Sequence, residues 1–334
     1  MGILSFEIIV FFSNILLLFV YIKASRRFHW FDKPDEDRKI HQHAIPTSAG
    51  LIFMAPLVLA FLLMPAWFPS HSFSIGLILL VLMIMGGLDD FFNISVNIRL
   101  LIVSCACAYF LYSLYSPHDI NYLLLFIYFL GMVWWINLYN FMDGADGMAS
   151  LHAFITICGY LISFVIFKNT HLMVLIYLIL FLLCILSFIL FNFPQAKIFM
   201  GDSGSFSVSF LIAAIALFGI SENIFDQILV ISFHLTFIVD ATLTLLARIK
   251  FNHKLSQAHN LHLFQALIKD GKSHASVSLW YAMGTLFTVA TAIYLAYIEA
   301  EVTKRLAVLL IEAGILSIIW CFYHSKTKFK RFVS

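Results

Sequence analysis

Long runs of apolar residues, each close to the length that crosses a bilayer, recur along the chain. A transmembrane helix needs about 20 such residues. We predict about 11 helices of this kind, at 3–22, 48–66, 73–89, 100–115, 122–139, 150–167, 172–190, 206–220, 227–247, 277–297 and 306–323. Hydrophobic residues make up 62 % of the chain and charged residues 11 %, which excludes an ordinary soluble domain. We therefore expect an all-α integral membrane protein, a polytopic bundle.

Basic residues are distributed unevenly between the connections of these helices. One alternate set holds 17 of the 20 lysines and arginines: 23–47, 90–99, 140–149, 191–205, 248–276 and the tail 324–334. Basic connections stay on the cytoplasmic side, so we predict that the N-terminus is outside and the C-terminus cytoplasmic. The chain shows no long internal repeat or low-complexity linker, and we expect a single polytopic domain over 1–334.

The segment 134–150, WWINLYNFMDGADGMAS, ends one apolar run with closely spaced polar residues. Asn137, Asn140, Asp143 and Asp146 follow one another at intervals of three, a spacing that keeps side chains on one face of a helix. A glycine after each aspartate allows the backbone to approach a ligand closely. The pattern indicates a site for a cation or a phosphorylated ligand.

Further polar residues fall on the same predicted side of the membrane. They are Lys39 in the first loop, Asp89 and Asp90 at the end of the third helix, Asp202 before the eighth, Arg248 at the end of the ninth, and His259 and His262 beyond it. Each feature alone has an ordinary explanation, such as a solvated helix end or a wet loop. Asp240, inside the ninth helix, is either functional or a packing residue. Their occurrence on one side predicts a common cytoplasmic site.

Adjacent aspartates repel one another, and a divalent cation removes that repulsion. Mg²⁺ prefers one or two carboxylates together with substrate phosphates, while the basic residues suit an anionic diphosphate. The chain lacks the Walker A, Rossmann, HExxH and GxSxG patterns. A net charge of +2 does not argue for nucleic acid. We predict metal-assisted phosphoryl transfer at the cytosolic membrane surface, with a lipid as second substrate.

Four motifs resemble those of the polyprenyl-phosphate N-acetylhexosamine-1-phosphate transferases, glycosyltransferase family 4. They are DKP…RKIHQHAIPTSAG (32–50), GGLDD (86–90), NLYNFMDGADGMAS (137–150) and NFPQAKIFMGDSGS (192–205). The family includes O-antigen-initiating enzymes and phospho-MurNAc-pentapeptide transferase. Ala49-Gly50 replaces the family's common Gly-Gly. The segment AHNLHLFQ (258–265) is similar to the O-antigen-initiating branch, which argues against the cell-wall enzyme.

The resemblance implies a role for each matching residue. The implied catalytic residues are Asp89, Asp90, Asp143 and His262; the implied substrate-binding residues are Lys39, Asn140, Asp146, Arg248 and His259; Asp202 and Asp143 would bind Mg²⁺, with Mn²⁺ as an alternative. Asp89 would activate or orient the lipid phosphate, and Asn140 with Asp146 would face the nucleoside. Arg248 and the two histidines would hold the diphosphate and sugar.

The implied reaction transfers N-acetylhexosamine-1-phosphate from a UDP-sugar to undecaprenyl phosphate and releases UMP. It would begin O-antigen or cell-envelope polysaccharide synthesis at the cytoplasmic face of the bacterial inner membrane. Direct attack and a phospho-aspartate route both stay open, and a homodimer is one expected assembly. The alternatives are phospho-MurNAc-pentapeptide transferase, a membrane transporter, which would place charges near the midplane, and a non-catalytic lipid-binding or assembly protein.

Overall fold

The computed structural model describes residues 3–28, 31–32, 45–63, 72–115, 121–167, 172–252 and 261–326. The helices are α1 (Ile3–Phe28), α2 (Gly50–Phe53), α3 (Ala55–Leu63), α4 (Ser72–Phe92), α5 (Val96–Leu114), α6 (Tyr122–Met142), α7 (Met148–Phe167), α8 (Leu172–Asn192), α9 (Gly201–Ser221), α10 (Gln227–Phe233), α11 (Leu235–Lys250), α12 (Leu263–Lys269), α13 (His274–Tyr297) and α14 (Val302–Lys326). Two short strands, β1 (Phe31–Asp32) and β2 (Ile45–Pro46), pair antiparallel.

The described residues contain nine helices that are long and apolar enough to cross a membrane. The pair α10–α11 adds one further bent candidate, and Gly50–Leu63 is a shorter apolar helical segment. The prediction of an all-α polytopic membrane protein is therefore confirmed. The number of spans and the orientation of the termini stay predictions. Large side chains such as Phe12, Leu101 and Ile318 are exposed, as expected for a surface that faces lipid.

The structure differs from the predicted helices in three places. The predicted helix 227–247 is broken at His234, where α10 and α11 meet at 76°, and the predicted helix 48–66 is interrupted at Met54. Helix α9 begins at Gly201 and not at 206, so Asp202 lies in its first turn and not in a preceding loop. The short helix α12 was not predicted. Hydropathy detects apolar length but not a change of helix direction.

The break at His234 contains no proline. The His234 backbone N–H donates to the carbonyl of Ile231 at 3.2 Å, a tight contact typical of a 3₁₀ turn. Its ring bonds the Tyr160 hydroxyl at 2.9 Å and lies over Trp135, with ring centroids 4.2 Å apart. These buried contacts hold the bend and direct α11 past α6 toward the end of the bundle where α9 begins.

Helix α9 is the most buried of the membrane-spanning candidates and packs against α2, α4, α6 and α7. Two glycines on its neighbours allow this close approach. A Cβ atom on Gly50 would lie 2.1 Å from the backbone nitrogen of Gly204, and one on Gly86 would lie 2.4 Å from the carbonyl carbon of Asp202. The backbones of α2 and α4 therefore rest directly on the first turn of α9. This packing places the end of α4 beside Asp202.

The segment from Pro46 in β2 onward also lies against the start of α9. Three backbone hydrogen bonds join it to residues 199–200: Phe199 N–H to Pro46 O at 2.8 Å, Ala49 N–H to Phe199 O at 3.1 Å, and Gly50 N–H to Met200 O at 3.0 Å. Ala49 is fully buried. The alanine that replaces the first glycine of the family's common Gly-Gly pair therefore lies at a position that accommodates a methyl group. The segment thereby brings Ser48 to the end of α4.

The opposite end of the bundle is closed by an ion pair. Arg305 at the start of α14 donates two hydrogen bonds to the carboxylate of Asp226, at 2.7 and 2.8 Å. Asp226 also caps α10 by accepting from the Leu229 N–H at 3.1 Å. Both charged residues come from connections that the sequence assigns to the outside.

Candidate active site

Asp90 and Asp202, far apart in the sequence, are joined at the start of α9. One carboxylate oxygen of Asp90 accepts the backbone N–H of Asp202 at 2.9 Å, and the other accepts the hydroxyl of Ser48 at 2.6 Å. The first turn of a helix has N–H groups without partners inside the helix and carries a partial positive charge. Asp90 therefore caps α9 from a neighbouring helix. Its predicted catalytic role stays a prediction.

Arg99, in the first turn of α5, connects the other two carboxylates. Its Nη1 lies 2.6 Å from Asp89 Oδ2 and 3.2 Å from Asp202 Oδ2. The second oxygen of Asp89 accepts the backbone N–H of Ile94 at 2.6 Å. In the sequence Arg99 is only one of the basic residues assigned to the cytoplasmic side, and this contact was not predicted. The available signal was a basic residue ten positions after Asp89, across the turn to the next helix.

The end of α6 meets the same turn of α9. Asn140 accepts a hydrogen bond from the Ser205 hydroxyl at 2.8 Å. Asp143 is the C-terminal cap residue of α6 and is half-buried. Burial raises the pKa of the Asp143 carboxyl well above its ordinary value, and the Asp90 carboxylate raises it further. Asp143 therefore lies near enough to Asp90 for the two charges to interact, and its predicted role in the site stays a prediction.

The four polar residues of segment 134–150 do not share one face. Asn137 donates to the carbonyl of Val133 within its own helix at 2.8 Å. Because α6 ends at Met142, Asp146 lies in the following turn, where the helical spacing no longer applies. The expectation of a single helical face was therefore wrong. Asn140 contacts Ser205 near the start of α9, and Asp143 lies close enough to Asp90 for their charges to interact.

Asp146 is buried and connects its turn to two other segments. Its Oδ2 accepts the Ala196 N–H at 3.0 Å, and its Oδ1 lies 3.4 Å from Nδ1 of His274 at the start of α13. The Ser278 hydroxyl donates to its backbone carbonyl at 2.7 Å. These contacts place Asp146 where α13 and the segment before α9 meet. The predicted contact with the nucleoside stays a prediction.

His262 caps α12 and lies close to Asp240 of α11. The distance from its Nδ1 to Asp240 Oδ1 is 3.8 Å, and both side chains are buried. The same Asp240 oxygen accepts the Leu263 N–H at 2.8 Å, and Oδ2 accepts the Tyr281 hydroxyl at 2.6 Å. Asp240 therefore holds the start of α12 in place, which favours the positional explanation for this buried charge.

The segment that contains His262 packs on the turn that contains Asp143. The rings of His262 and Phe141 have centroids 6.4 Å apart. A Cβ atom on Gly144 would lie 2.9 Å from the ring of Phe264. The structure thus brings His262 to the same end of the bundle as the aspartates. Arg248 is buried in the last turn of α11. Lys39 and His259 lie outside the described residues.

The carboxylates suit a divalent cation in their chemistry, but they do not form a ready-made cage. Within the described ranges, no group of three or more His, Cys, Asp or Glu side chains is arranged to hold a metal ion. Mg²⁺ does not need such a group, because it keeps several waters and binds one or two carboxylates plus phosphates. The chemistry of the Asp202 and Asp143 carboxylates suits that ion, and the metal itself stays a prediction. Arg99 already contacts Asp202, however, and would have to share that carboxylate.

Part of the chain that contains this site matches a known family model. Residues 72–220 match the family model of glycosyl transferase family 4. That range contains Asp89, Asp90, Arg99, Asp143 and Asp202, which the structure places in adjoining turns. The resemblance predicted from the motifs is therefore confirmed.

The individual relatives of this chain carry two kinds of name. A Bacillus subtilis protein called "Probable undecaprenyl-phosphate N-acetylglucosaminyl 1-phosphate transferase" is 25 % identical over 274 residues, 78 % of this chain and 76 % of that protein. The "Phospho-N-acetylmuramoyl-pentapeptide-transferase" of Streptococcus sanguinis is 30 % identical over 209 residues, 54 % and 63 % of the two chains. Its Streptococcus pneumoniae counterpart is 27 % identical and aligned over 62 % of its length. The chain thus spans less than two thirds of these streptococcal relatives.

Proposed function

We propose that this protein is a polyprenyl-phosphate sugar-1-phosphate transferase. The observation that carries the proposal is the meeting of Asp89, Asp90 and Asp202 at the buried start of α9, with Arg99 between two of them. Support also comes from the match to glycosyl transferase family 4 and from the names of the two kinds of relative. Carboxylates and a guanidinium at a helix N-terminus suit phosphate chemistry.

The proposed reaction is a single displacement at phosphorus. An oxygen of the polyprenyl phosphate attacks the β-phosphorus of a UDP-sugar, the bond from that phosphorus to the bridging oxygen breaks, and UMP leaves with the bridging oxygen. The phosphate monoester has a second pKa near 6 and is mostly ionised at neutral pH. Asp89 therefore has more to contribute by orienting the attacking phosphate than by removing a proton. Alignment of the two substrates supplies much of the acceleration.

Mg²⁺ or Mn²⁺ fits this site as a cofactor. Asp202 would hold it together with Asp143, and the bound cation would neutralise charge on the diphosphate. Asn140 contacts Ser205 near the start of α9, where it can orient a nucleotide. Asp240 keeps His262 at the same end of the bundle, where an imidazole can contact the sugar or the diphosphate. Each side chain thus has a distinct task around the reacting phosphates.

The finer proposal is a UDP-N-acetylhexosamine donor and undecaprenyl phosphate as acceptor. It is supported by the Bacillus subtilis relative, which aligns over most of both chains, and by the histidine segment AHNLHLFQ. We place the reaction at the cytoplasmic face of the bacterial inner membrane, where nucleotide sugars are found. The second candidate is phospho-MurNAc-pentapeptide transfer, which the 30 % identity to the Streptococcus sanguinis relative favours.

UMP release by the purified protein tests these proposals. The protein in detergent is mixed with undecaprenyl phosphate, Mg²⁺ and one donor at a time: UDP-GlcNAc, UDP-GalNAc, a UDP-6-deoxy-N-acetylhexosamine or UDP-MurNAc-pentapeptide. We expect lipid-dependent UMP release with one of the amino-sugar donors. Release only with the pentapeptide donor would establish the second candidate. No UMP release with any donor would exclude the transferase assignment.

A further inference from the structure

Arg99 makes two unequal contacts with carboxylates from different helices. Its Nη1 lies 2.6 Å from Asp89 of α4, a short charge-assisted bond, and 3.2 Å from Asp202 of α9. The Asp89 side chain is 5 % exposed, whereas that of Asp202 is 24 % exposed. The contact with Asp89 is therefore the stronger and better shielded one. The contact with Asp202 is the one that a competing cation can reach and replace.

The other partners of these carboxylates explain why Arg99 is needed. Asp90 uses one oxygen for the Ser48 hydroxyl and the other for the Asp202 N–H, and neither of these partners carries a positive charge. Asp89 and Asp202 are both close enough to Asp90 and to each other to repel. A guanidinium between Asp89 and Asp202 offsets that repulsion. It does so without a bound ion and from a third helix.

We propose that Arg99 is a built-in counter-ion that competes with a divalent cation for Asp202. A cation that binds Asp202 repels the guanidinium and displaces it from that oxygen, while its bond to Asp89 persists. Arg99 is then a positioning residue, since it sets the place and the availability of the Asp202 carboxylate. The Nη1 N–H released from Asp202 suits a phosphate oxygen. This inference rests on the proposed function only for the identity of the ligands, a divalent cation and a phosphate.

Mn²⁺ binding provides a test that does not depend on turnover. Electron paramagnetic resonance measures free Mn²⁺ in titrations of the detergent-purified full chain. The variants are Arg99→Met and Arg99→Gln, which remove the charge and keep an extended, though shorter, side chain. Arg99→Lys keeps the charge. Arg305→Met serves as the matched control, because it removes an Arg–Asp ion pair at the opposite end of α9.

The proposal predicts that Arg99→Met and Arg99→Gln bind Mn²⁺ several-fold more tightly than the unchanged protein. Arg99→Lys and Arg305→Met should bind close to the unchanged affinity. The unfolding temperature adds a second readout: with EDTA the two neutral variants should unfold at lower temperature, and Mg²⁺ should raise it more than in the unchanged protein. Equal or weaker Mn²⁺ binding by the neutral variants would overturn the competition.

The outcomes also separate this inference from the proposed function. A chain that binds Mn²⁺ and shows the Arg99 effect, yet releases no UMP with any donor, keeps the competition and loses the transferase assignment. A chain that releases UMP while the neutral variants show no tighter Mn²⁺ binding loses only the competition. If Arg99→Met fails to fold, Arg99→Gln decides the affinity comparison.

Discussion

The carboxylate of Asp90 accepts a hydrogen bond from the backbone N–H of Asp202, with an N···O distance of 2.9 Å. The bond spans 112 residues of sequence and involves the main chain of Asp202, not its side chain. Asp90 therefore holds the start of α9, while the Asp202 carboxylate is left to Arg99 or to a cation. Asp90 and Asp202, which are close in space and both occur in acidic motifs, thus have different physical tasks.

Replacement of Asp202 by Asn separates binding of the cation from folding. We expect Asp202→Asn to lower the UMP release rate by at least about 100-fold, because a neutral amide binds a divalent cation poorly. Its unfolding temperature should change little, since the bond to Asp90 uses the backbone. Steady-state UMP release and thermal unfolding measure the two effects.

Asp226→Asn is the control for that experiment, because Asp226 lies at the opposite end of α9 and contacts Arg305. It should retain the UMP release rate even if its stability falls. Full activity in Asp202→Asn would remove Asp202 from the proposed metal site.

Gly86 provides a test of the close packing of α4 on α9. A methyl group at this position would lie 2.4 Å from the carbonyl carbon of Asp202, so Gly86→Ala should overpack the contact and cost about 1–3 kcal/mol in the free energy of unfolding. The displaced turn should also lower UMP release. Thermal unfolding in detergent and the UMP assay measure the two effects.

Gly131→Ala is the matched control for Gly86→Ala. Gly131 is a helical, exposed glycine with open space around its Cβ position. Alanine there should stabilise the helix by about 0.5–1 kcal/mol and leave turnover unchanged. If Gly86→Ala behaves like Gly131→Ala, the proposed backbone contact does not limit this position.

Tyr281 tests whether Asp240 positions His262. Tyr281→Phe removes the hydroxyl that donates to Asp240 at 2.6 Å, and a lost bond to a charged group costs about 1.5–3 kcal/mol. Because Asp240 also binds the Leu263 N–H, we expect the KM for the nucleotide sugar to rise several-fold, with a smaller effect on kcat. Steady-state kinetics with varied donor concentration measure this split.

Tyr294→Phe is the matching control, since Tyr294 lies on the same helix and is exposed. It should leave both KM and kcat unchanged. If Tyr281→Phe lowers kcat in proportion to the fraction of unfolded protein and leaves KM unchanged, this hydroxyl has a purely structural role.

The raised pKa of Asp143 predicts how the stability of the protein depends on pH when EDTA removes divalent cations. Burial and the Asp90 charge raise the pKa of its carboxyl in the folded protein above the unfolded value. The folded state then holds the proton more tightly, so this group's contribution to stability falls as pH rises from the unfolded pKa toward the folded pKa. Asp143→Asn should weaken the pH dependence of stability in that pH range. At higher pH it should be more stable than the unchanged protein.

Unfolding temperatures across pH, with EDTA and with Mg²⁺, measure this dependence. A bound cation favours the charged carboxylate, so Mg²⁺ should weaken the pH dependence of the unchanged protein but not that of Asp143→Asn. Identical pH profiles for the two proteins in EDTA would contradict the assignment of the raised pKa to Asp143.

The membrane architecture could be predicted because it follows from local composition. An apolar run of sufficient length has to form a helix in a bilayer, where each backbone polar group needs an internal partner. The motifs around Asp89, Asp143 and Asp202 were expected to converge because they occupy alternate connections, and the structure brings them to one end of the bundle. The predicted helix ends were less accurate, because a polar residue such as Asp202 can lie inside a helix.

Three features could not be predicted, and each depends on contacts between distant segments. The break at His234 arises from buried contacts with Tyr160 and Trp135, which carry no hydropathy signal. The position of Asp146 depends on where α6 stops, one residue before Asp143. In the sequence Arg99 resembles any other basic residue near a membrane surface. Only the packing of α5 beside α4 and α9 brings it to Asp89 and Asp202.

The sequence by itself determined an all-α membrane protein, the family resemblance and the set of acidic residues that gather around the start of α9. These follow from apolar length and from short motifs, both of which are local. Only the tertiary structure decided that Asp90 caps α9, that Asp240 holds the start of α12 and that Arg99 joins Asp89 to Asp202. Such pairs form between residues separated by up to 112 positions, and their partners are chosen by how closely the helices pack.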